Sequence, residues 1–395
     1  MPRFEPFRAL RYSPAAEPLD DLVAPPYDVL SADDVAEYGS KSPHNIVHVD
    51  VPAGGPDRYV RAGGLLRQWI AEGVLVADKQ PSFTVYRTRF TDATGAGRDL
   101  VGVLGALEVV DEGAGGVLPH ERTTPKASTD RLDLTRATTA NLSPVWGLSL
   151  ASGLTELLAE PGKVIGEVTV DEVAHRVEHV DDPARIAAIS ELVSGDDVLI
   201  ADGHHRYGVA RIYRDEVRDA ASRTDDDADA AELTLAYVGE LIAEQLSVEA
   251  IHRLYAGVEL SAMQEALAEH FDIEPFAAPG SHTLAAMEAE GFLVLVGPDT
   301  AYRLTAKPEA FDGVRALDGA WLEHALDGLP AEVTYQHGLD ETLAAVQRGD
   351  ATAAVLIRPV SVAEIERTAR EGLLMPPKST FFTPKLRTGF VIRPL

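Results

Sequence analysis

One ten-residue segment constrains the fold more than any other: Val198-Leu-Ile-Ala-Asp-Gly-His-His-Arg-Tyr207. Its first four residues form an apolar run of strand length that ends at Asp202-Gly203. Beyond the glycine, Val209, Ile212, Tyr213 and Val217 recur at helical spacing. A buried strand that turns through one glycine into a helix belongs to an α/β chain. The same turn aims the free N–H groups and the positive end of the helix at one point. His204, His205 and Arg206 crowd that point. It suits an anion, phosphate above all, and Asp202 has the chemistry to hold the magnesium that accompanies phosphate.

The flanking patterns extend this reading. Alternating or continuous apolar character predicts strands over 46–51, 82–90, 101–110, 145–150 and 233–242, with 101–110 central. Helical spacing predicts helices over 58–72, 128–140 and 206–222. A composition shift after Gly257 introduces further predicted helices (262–270, 317–326, 340–347) and strands (292–296, 353–357), with a final strand over 389–392. There is no internal repeat. The expected architecture is mixed α/β in three parts. Residues 1–110 form an N-terminal region and 111–257 a catalytic core. Residues 258–395 form a C-terminal region that returns Lys378, Ser379 and Thr380 toward the site.

Charge and cysteine usage narrow the function. A formal charge of −28 argues against a broad nucleic-acid surface or an anionic membrane as partner, both of which need lysine and arginine. An anionic small substrate therefore needs a local basic pocket. With no cysteine, disulfides, iron–sulfur clusters and thiolate-bound zinc are excluded. The N-terminus lacks the apolar core of a signal peptide, and no run approaches the ~20 apolar residues that span a bilayer. The expectation is a cytoplasmic protein.

Four further clusters carry candidate chemistry. His120-Glu-Arg-Thr-Thr124, with Lys126 and Asp130-Arg131, sets Glu121 among cations that keep a carboxylate ionised and fit to act as general base. His120, Arg122 and Lys126 are its candidate phosphate ligands. The bland alternative is a charged loop with ion pairs of little individual worth. Lys378, Ser379 and Thr380 follow a Pro-Pro turn and could close over phosphate, although the glycines of a Walker A loop are missing. His252 and Arg253 follow an apolar stretch, where a satisfied buried histidine is the simpler reading. Tyr27 and Asp28 stand behind two prolines that either present them to a site or merely begin a strand. A zinc site built from His120, Glu121, His204 and His205 lacks the helical His-Glu-x-x-His spacing.

Taken in order, these motifs resemble the bacterial and archaeal family catalogued as domain of unknown function 1015, over essentially the whole chain. The resemblance rests on Pro25-Pro-Tyr-Asp-Val29, on His120-Glu-Arg-Thr123 with Lys126, Asp130-Arg131 and Asn141-Leu-Ser-Pro144, on Ala201-Asp-Gly-His-His-Arg-Tyr207, on His252-Arg-Leu254 and on Met375-Pro-Pro-Lys-Ser-Thr380. A second, local resemblance links Asp-Gly-His-His-Arg to the phosphate-binding turn of the ParB/sulfiredoxin-like fold. That group includes kinases that phosphorylate free L-serine. It implies a ParB/sulfiredoxin-like core in which Asp202, Gly203, His204, His205 and Arg206 hold nucleotide phosphate and metal. ATP or ADP would be the donor, with Mg²⁺ as cofactor. Glu121 receives the base role by chemistry alone. Arg131, Asn141, Tyr27, Asp28, His252 and Arg253 remain supporting candidates. The expected partners are a nucleotide and a small hydroxylated substrate, and homo-oligomerisation stays open. A non-catalytic nucleotide-binding regulator and a metal-dependent hydrolase are the alternative functions.

Overall fold

The strand Gly97–Glu108, which contains the unbroken apolar run Leu100–Leu107, is hydrogen-bonded along both edges in the computed structural model. The structure describes residues 1–93, 95–121, 128–220 and 229–395. It is mixed α/β, as the sequence predicts, and divides into two units. The first comprises Met1–Leu246, Ala369–Gly372 and Pro384–Leu395, and the second Ser247–Thr368 and Leu373–Thr383.

Among the described residues, the large sheet of the first unit has nine strands. From one edge they run Val117–Leu118, Val198–Asp202, Val145–Ser149, Leu233–Glu240, Gly97–Glu108, Phe83–Thr91, Val173–Val180 and Lys163–Val170, with Phe4–Glu5 also paired to Gly97–Glu108. Two pairings are parallel: Val198 and Leu199 with Val117 and Leu118, and Ala236 to Glu240 with Val145 to Ser149. The remaining pairings of this sheet are antiparallel. Alternate residues of each strand face opposite sides. Val85, Val103, Val198, Ile200 and Val238 thus share a core with Ile189 and Val193 of the helix Pro183–Val193. Tyr86 and Trp146 both set their rings edge-on to Tyr237. A separate core joins Ile46, Leu66, Trp69 and Leu134 to Ile392 of the tail.

Most of the predicted elements form, with small shifts at their ends. The predicted helix over 58–72 is Arg58–Ala71, burying Ala62, Leu66 and Trp69, and the helix over 128–140 is Ser128–Thr138. Two elements are corrected. Residues 46–51 form no strand; Val47–Asp50 is a single helical turn, with Asn45 Oδ1 accepting from the Val47 N–H at 3.0 Å. Residues 389–392 form no strand either. Ile392 makes an isolated bridge to Leu10, and the short strand Arg393–Pro394 pairs with Ala140–Asn141.

The second unit is built on a six-stranded antiparallel sheet in the order Phe271–Phe276, Ala301–Ala306, Leu293–Val296, Ala353–Leu356, Ile251–Ala256, Glu332–His337. Its helices Leu260–His270, Asp318–Ala325 and Leu339–Arg348 lie where the sequence predicts them. No described helix is long and apolar enough to cross a membrane.

Candidate functional site

The strand Val198–Asp202 leads through Gly203 into the helix His204–Asp219. Gly203 adopts φ +85°, a left-handed conformation that side chains resist. A Cβ there would also meet the Arg206 guanidinium at 3.1 Å and the Val145 Cα at 3.3 Å. Just before the turn, the ladder to Val145–Ser149 slips register between Ile200 and Asp202. Such a bulge re-aims the residues that follow it. The helix behind the turn is pinned to the end of the central strand. Tyr207 OH donates to Glu108 O at 2.9 Å and accepts from the Val110 N–H at 2.8 Å, and the buried Arg214 donates to Val109 O at 2.5 Å. The turn is therefore held rigidly.

Asp202 lies between two cations. Its Oδ2 accepts from Arg206 Nη2 at 2.8 Å, and its Oδ1 lies 3.3 Å from Lys385 Nζ. Arg206 also donates to Pro144 O and reaches Asp28 Oδ2 at 3.5 Å. Burial would raise the Asp202 carboxyl, but Lys385 and Arg206, with His204, overcome it and hold the group ionised well below the usual range. Burial likewise opposes the charge on Arg206, while Asp28 and Asp202 keep it firmly protonated. Asp202 is thus a holder of cations. It does not fit the predicted magnesium, since a metal would have to displace Lys385 or Arg206. Among the described residues, no group of three or more histidines and carboxylates converges as a metal site.

The parallel pairing of Val117–Leu118 with Val198–Leu199 carries the next residues of both strands to the same sheet end. His120 is fully buried there, its Nδ1 2.7 Å from Ile200 O, and its ring meets the His204 ring edge-on at 4.8 Å. Burial pushes His120 down to about 4. At neutral pH its Nδ1–H therefore donates to the carbonyl. Glu121, next in sequence, is half-buried at that same end, and His205 is half-buried in the first turn of the site helix. Arg122 and Lys126 lie outside the described residues, as do Thr123 and Thr124.

Tyr27, Asp28 and Arg131 join this neighbourhood. Arg131 stacks its guanidinium 4.1 Å above the Tyr27 ring and donates to Asp50 through both the backbone oxygen, at 2.8 Å, and Oδ1, at 3.2 Å. Burial raises Asp50, opposed by Arg131 and Arg206, and pushes Tyr27 up to about 12. Tyr27, Asp50, Arg131, Asn141 and Arg206 help line a cavity of about 50 Å³. That is room for a few waters and too little for a nucleotide. Asn141 serves the framework, its Oδ1 accepting from the Leu235 N–H at 3.0 Å and facing Arg393 Nη1 at 3.4 Å.

The other candidates belong to the second unit. His252 is buried and accepts from the Ile357 N–H at 3.2 Å; burial pushes it down to about 4, so it matches the satisfied-core reading. Arg253 donates to Ile251 O at 2.5 Å and to Lys378 O at 3.1 Å. Lys378 sits at φ +58°, and Ser379 Oγ donates to Pro376 O at 2.7 Å. Thr380 follows at the start of the segment that leads into the strand Phe381–Thr383.

Two residues of the site were not singled out in the sequence. Asp50 had a visible signal, a carboxylate inside an apolar run that needs a buried partner. Lys385 had little beyond its place after Pro384, in a polar break before the apolar C-terminus.

The model of the family described as protein of unknown function (DUF1015) matches residues 4–320. The chain belongs to that family. Lys378, Ser379, Thr380 and Lys385 lie beyond the matched part. No curated protein is significantly similar to this DUF1015 sequence. Solved structures similar to it include a conserved hypothetical protein from Pyrococcus furiosus, 13% identical, covering 70% of this chain and 92% of that one at a TM-score of 0.41. A free serine kinase in complex with AMP is 13% identical, with 70% and 89% covered and a TM-score of 0.39. SbnI with a C-terminal truncation, from Staphylococcus aureus, is 12% identical, with 73% and 87% covered and a TM-score of 0.40.

Proposed function

We propose that this DUF1015 protein is a nucleotide-dependent phosphotransferase that acts on a small hydroxylated metabolite. Free L-serine is the acceptor, and ATP or ADP the donor. One observation carries the reading: the segment bearing Glu121 ends beside the Gly203 turn, where Arg206 and Lys385 flank Asp202. Phosphoryl transfer asks a protein mainly for positioning and for charge on the moving group's oxygens. The acceptor hydroxyl attacks the terminal phosphorus, its proton passes to Glu121, and the bond from that phosphorus to the nucleotide's bridging oxygen breaks. Arg206, with the N–H groups and imidazoles of His204 and His205, neutralises the phosphoryl oxygens. Serine is chosen because the Asp-Gly-His-His-Arg turn resembles that of kinases acting on the free amino acid.

The test is incubation of the full chain with ATP or ADP, Mg²⁺ and L-serine, followed by phosphorus NMR for phosphoserine. Product is expected with one of the donors, and Glu121→Gln should lower kcat by a factor of ~10² to ~10⁴, the range for a lost general base. Undiminished turnover in that variant removes Glu121 from the mechanism. Nucleotide binding without product from any hydroxylated acceptor would instead support a binding-only regulator.

A further inference from the structure

The C-terminal tail, Pro384–Leu395, is laced into the first unit at several points. Ala24 and Thr388 exchange backbone hydrogen bonds at 3.2 and 2.8 Å, and Leu10 and Ile392 do the same at 2.9 and 3.0 Å. Thr388 Oγ1 meets Ser143 Oγ at 3.0 Å, and the Arg387 N–H donates to Tyr86 OH at 3.1 Å. Arg393 Nη1 donates to Leu233 O at 2.9 Å. Ala24 immediately precedes the Pro25-Pro-Tyr-Asp28 segment, and Ser143 belongs to Asn141-Leu-Ser-Pro144. One short stretch of tail thus joins two of the motifs and presents Lys385 to a third, at Asp202.

Lysine side chains rarely lose their solvent, because the ammonium group is strongly hydrated. Lys385 keeps only 12% of its side-chain exposure, and its position follows from backbone anchored two and three residues further on. Asp202 is shared between this ammonium group and Arg206, which is itself only 11% exposed and has Asp28 as a more distant partner. The ammonium and the guanidinium are thereby gathered on the two oxygens of one carboxylate, on the residue just before Gly203 and the helix His204–Asp219. Cations gathered by a rigid frame at the positive end of a helix are an arrangement for an anion that arrives later.

We propose that Lys385 is an anion-binding residue of this site, taking the phosphate oxygens of a nucleoside di- or triphosphate while Asp202 keeps its ammonium group in place. The proposal rests on the phosphotransferase reading and adds to it a residue from the far end of the chain. Calorimetric titration of the full chain with ADP tests it, using wild type, Lys385→Met and Lys385→Arg. Lys385→Met should weaken binding by ~10-fold to ~100-fold, the loss expected for one charge-assisted hydrogen bond. Lys385→Arg should restore most of it, which a merely structural defect would not allow. Tight ADP binding by a folded Lys385→Met protein overturns the role of Lys385 and leaves the phosphotransferase reading standing. A wild-type protein that binds neither ADP nor ATP brings down that reading and the role of Lys385 with it. If Lys385→Met does not fold, acetylation footprinting of the wild type decides. ADP should slow modification of Lys385, and equal modification with and without ADP overturns the proposal.

Discussion

His120 pairs burial with a fixed tautomer, and that combination has a pH signature. The ring is fully enclosed and titrates near 4, whereas a histidine in the unfolded chain titrates near 6.5. Between those values the unfolded chain binds the extra proton, so stability contributed by neutral His120 is complete above about pH 6.5. It is lost as the pH falls toward 4, by up to ~1.4 kcal/mol per pH unit. Urea melts at pH 7 and pH 5 should show a lower midpoint at pH 5. His120→Gln, which can still donate to Ile200 O, should shrink that difference, and an unchanged difference contradicts the assignment. At this scale the sequence was partly legible. The Asp202 to Arg206 cluster declared itself because polar residues crowded a glycine turn. Lys385 did not, because it acquires meaning only through Asp202, far along the chain; Asp50 showed itself as a carboxylate in an apolar run, but its partner Arg131 did not.

Among the elements, the central strand Gly97–Glu108 leaves little room for added atoms. At Gly105 a Cβ would lie 2.4 Å from the Phe4 ring and 2.7 Å from the Phe83 ring, which stack at a centroid distance of 5.2 Å. Gly105→Ala should therefore cost ~1 to ~3 kcal/mol by overpacking, read as a lower urea midpoint; a wild-type midpoint would show that the two rings can yield. The central strands were legible because a strand covered on both faces needs apolar residues at every position, with no polar face to break the run. The hairpin Lys163–Val170 and Val173–Val180 escaped notice for a physical reason. Its turn is Asp171-Glu172, both at positive φ, where the usual signal is Asn-Gly or Asp-Gly. Residues 46–51 misled in the opposite direction. Their alternation mimics a strand, but Ile46, Val47 and Val49 pack into one core at a single helical turn, whose Val47 N–H donates to Asn45 Oδ1.

For the whole molecule, a net charge of −28 opposes an approaching nucleotide, so binding one needs cations concentrated locally. Arg206 and Lys385 gather on Asp202 at one sheet end, where the Asp202 to Arg206 turn meets the tail and the strand end before Glu121 lies alongside. The Asp202 to Arg206 turn was visible as a motif, whereas its contact with Lys385 joins residues 183 positions apart and shows only in the fold. The most direct test of this claim is a crystal structure of the full chain soaked with ADP. The phosphate oxygens should lie within about 3 Å of Arg206, Lys385 and the first N–H groups of the helix His204–Asp219. Phosphates seated elsewhere, away from Arg206 and Lys385, would contradict it.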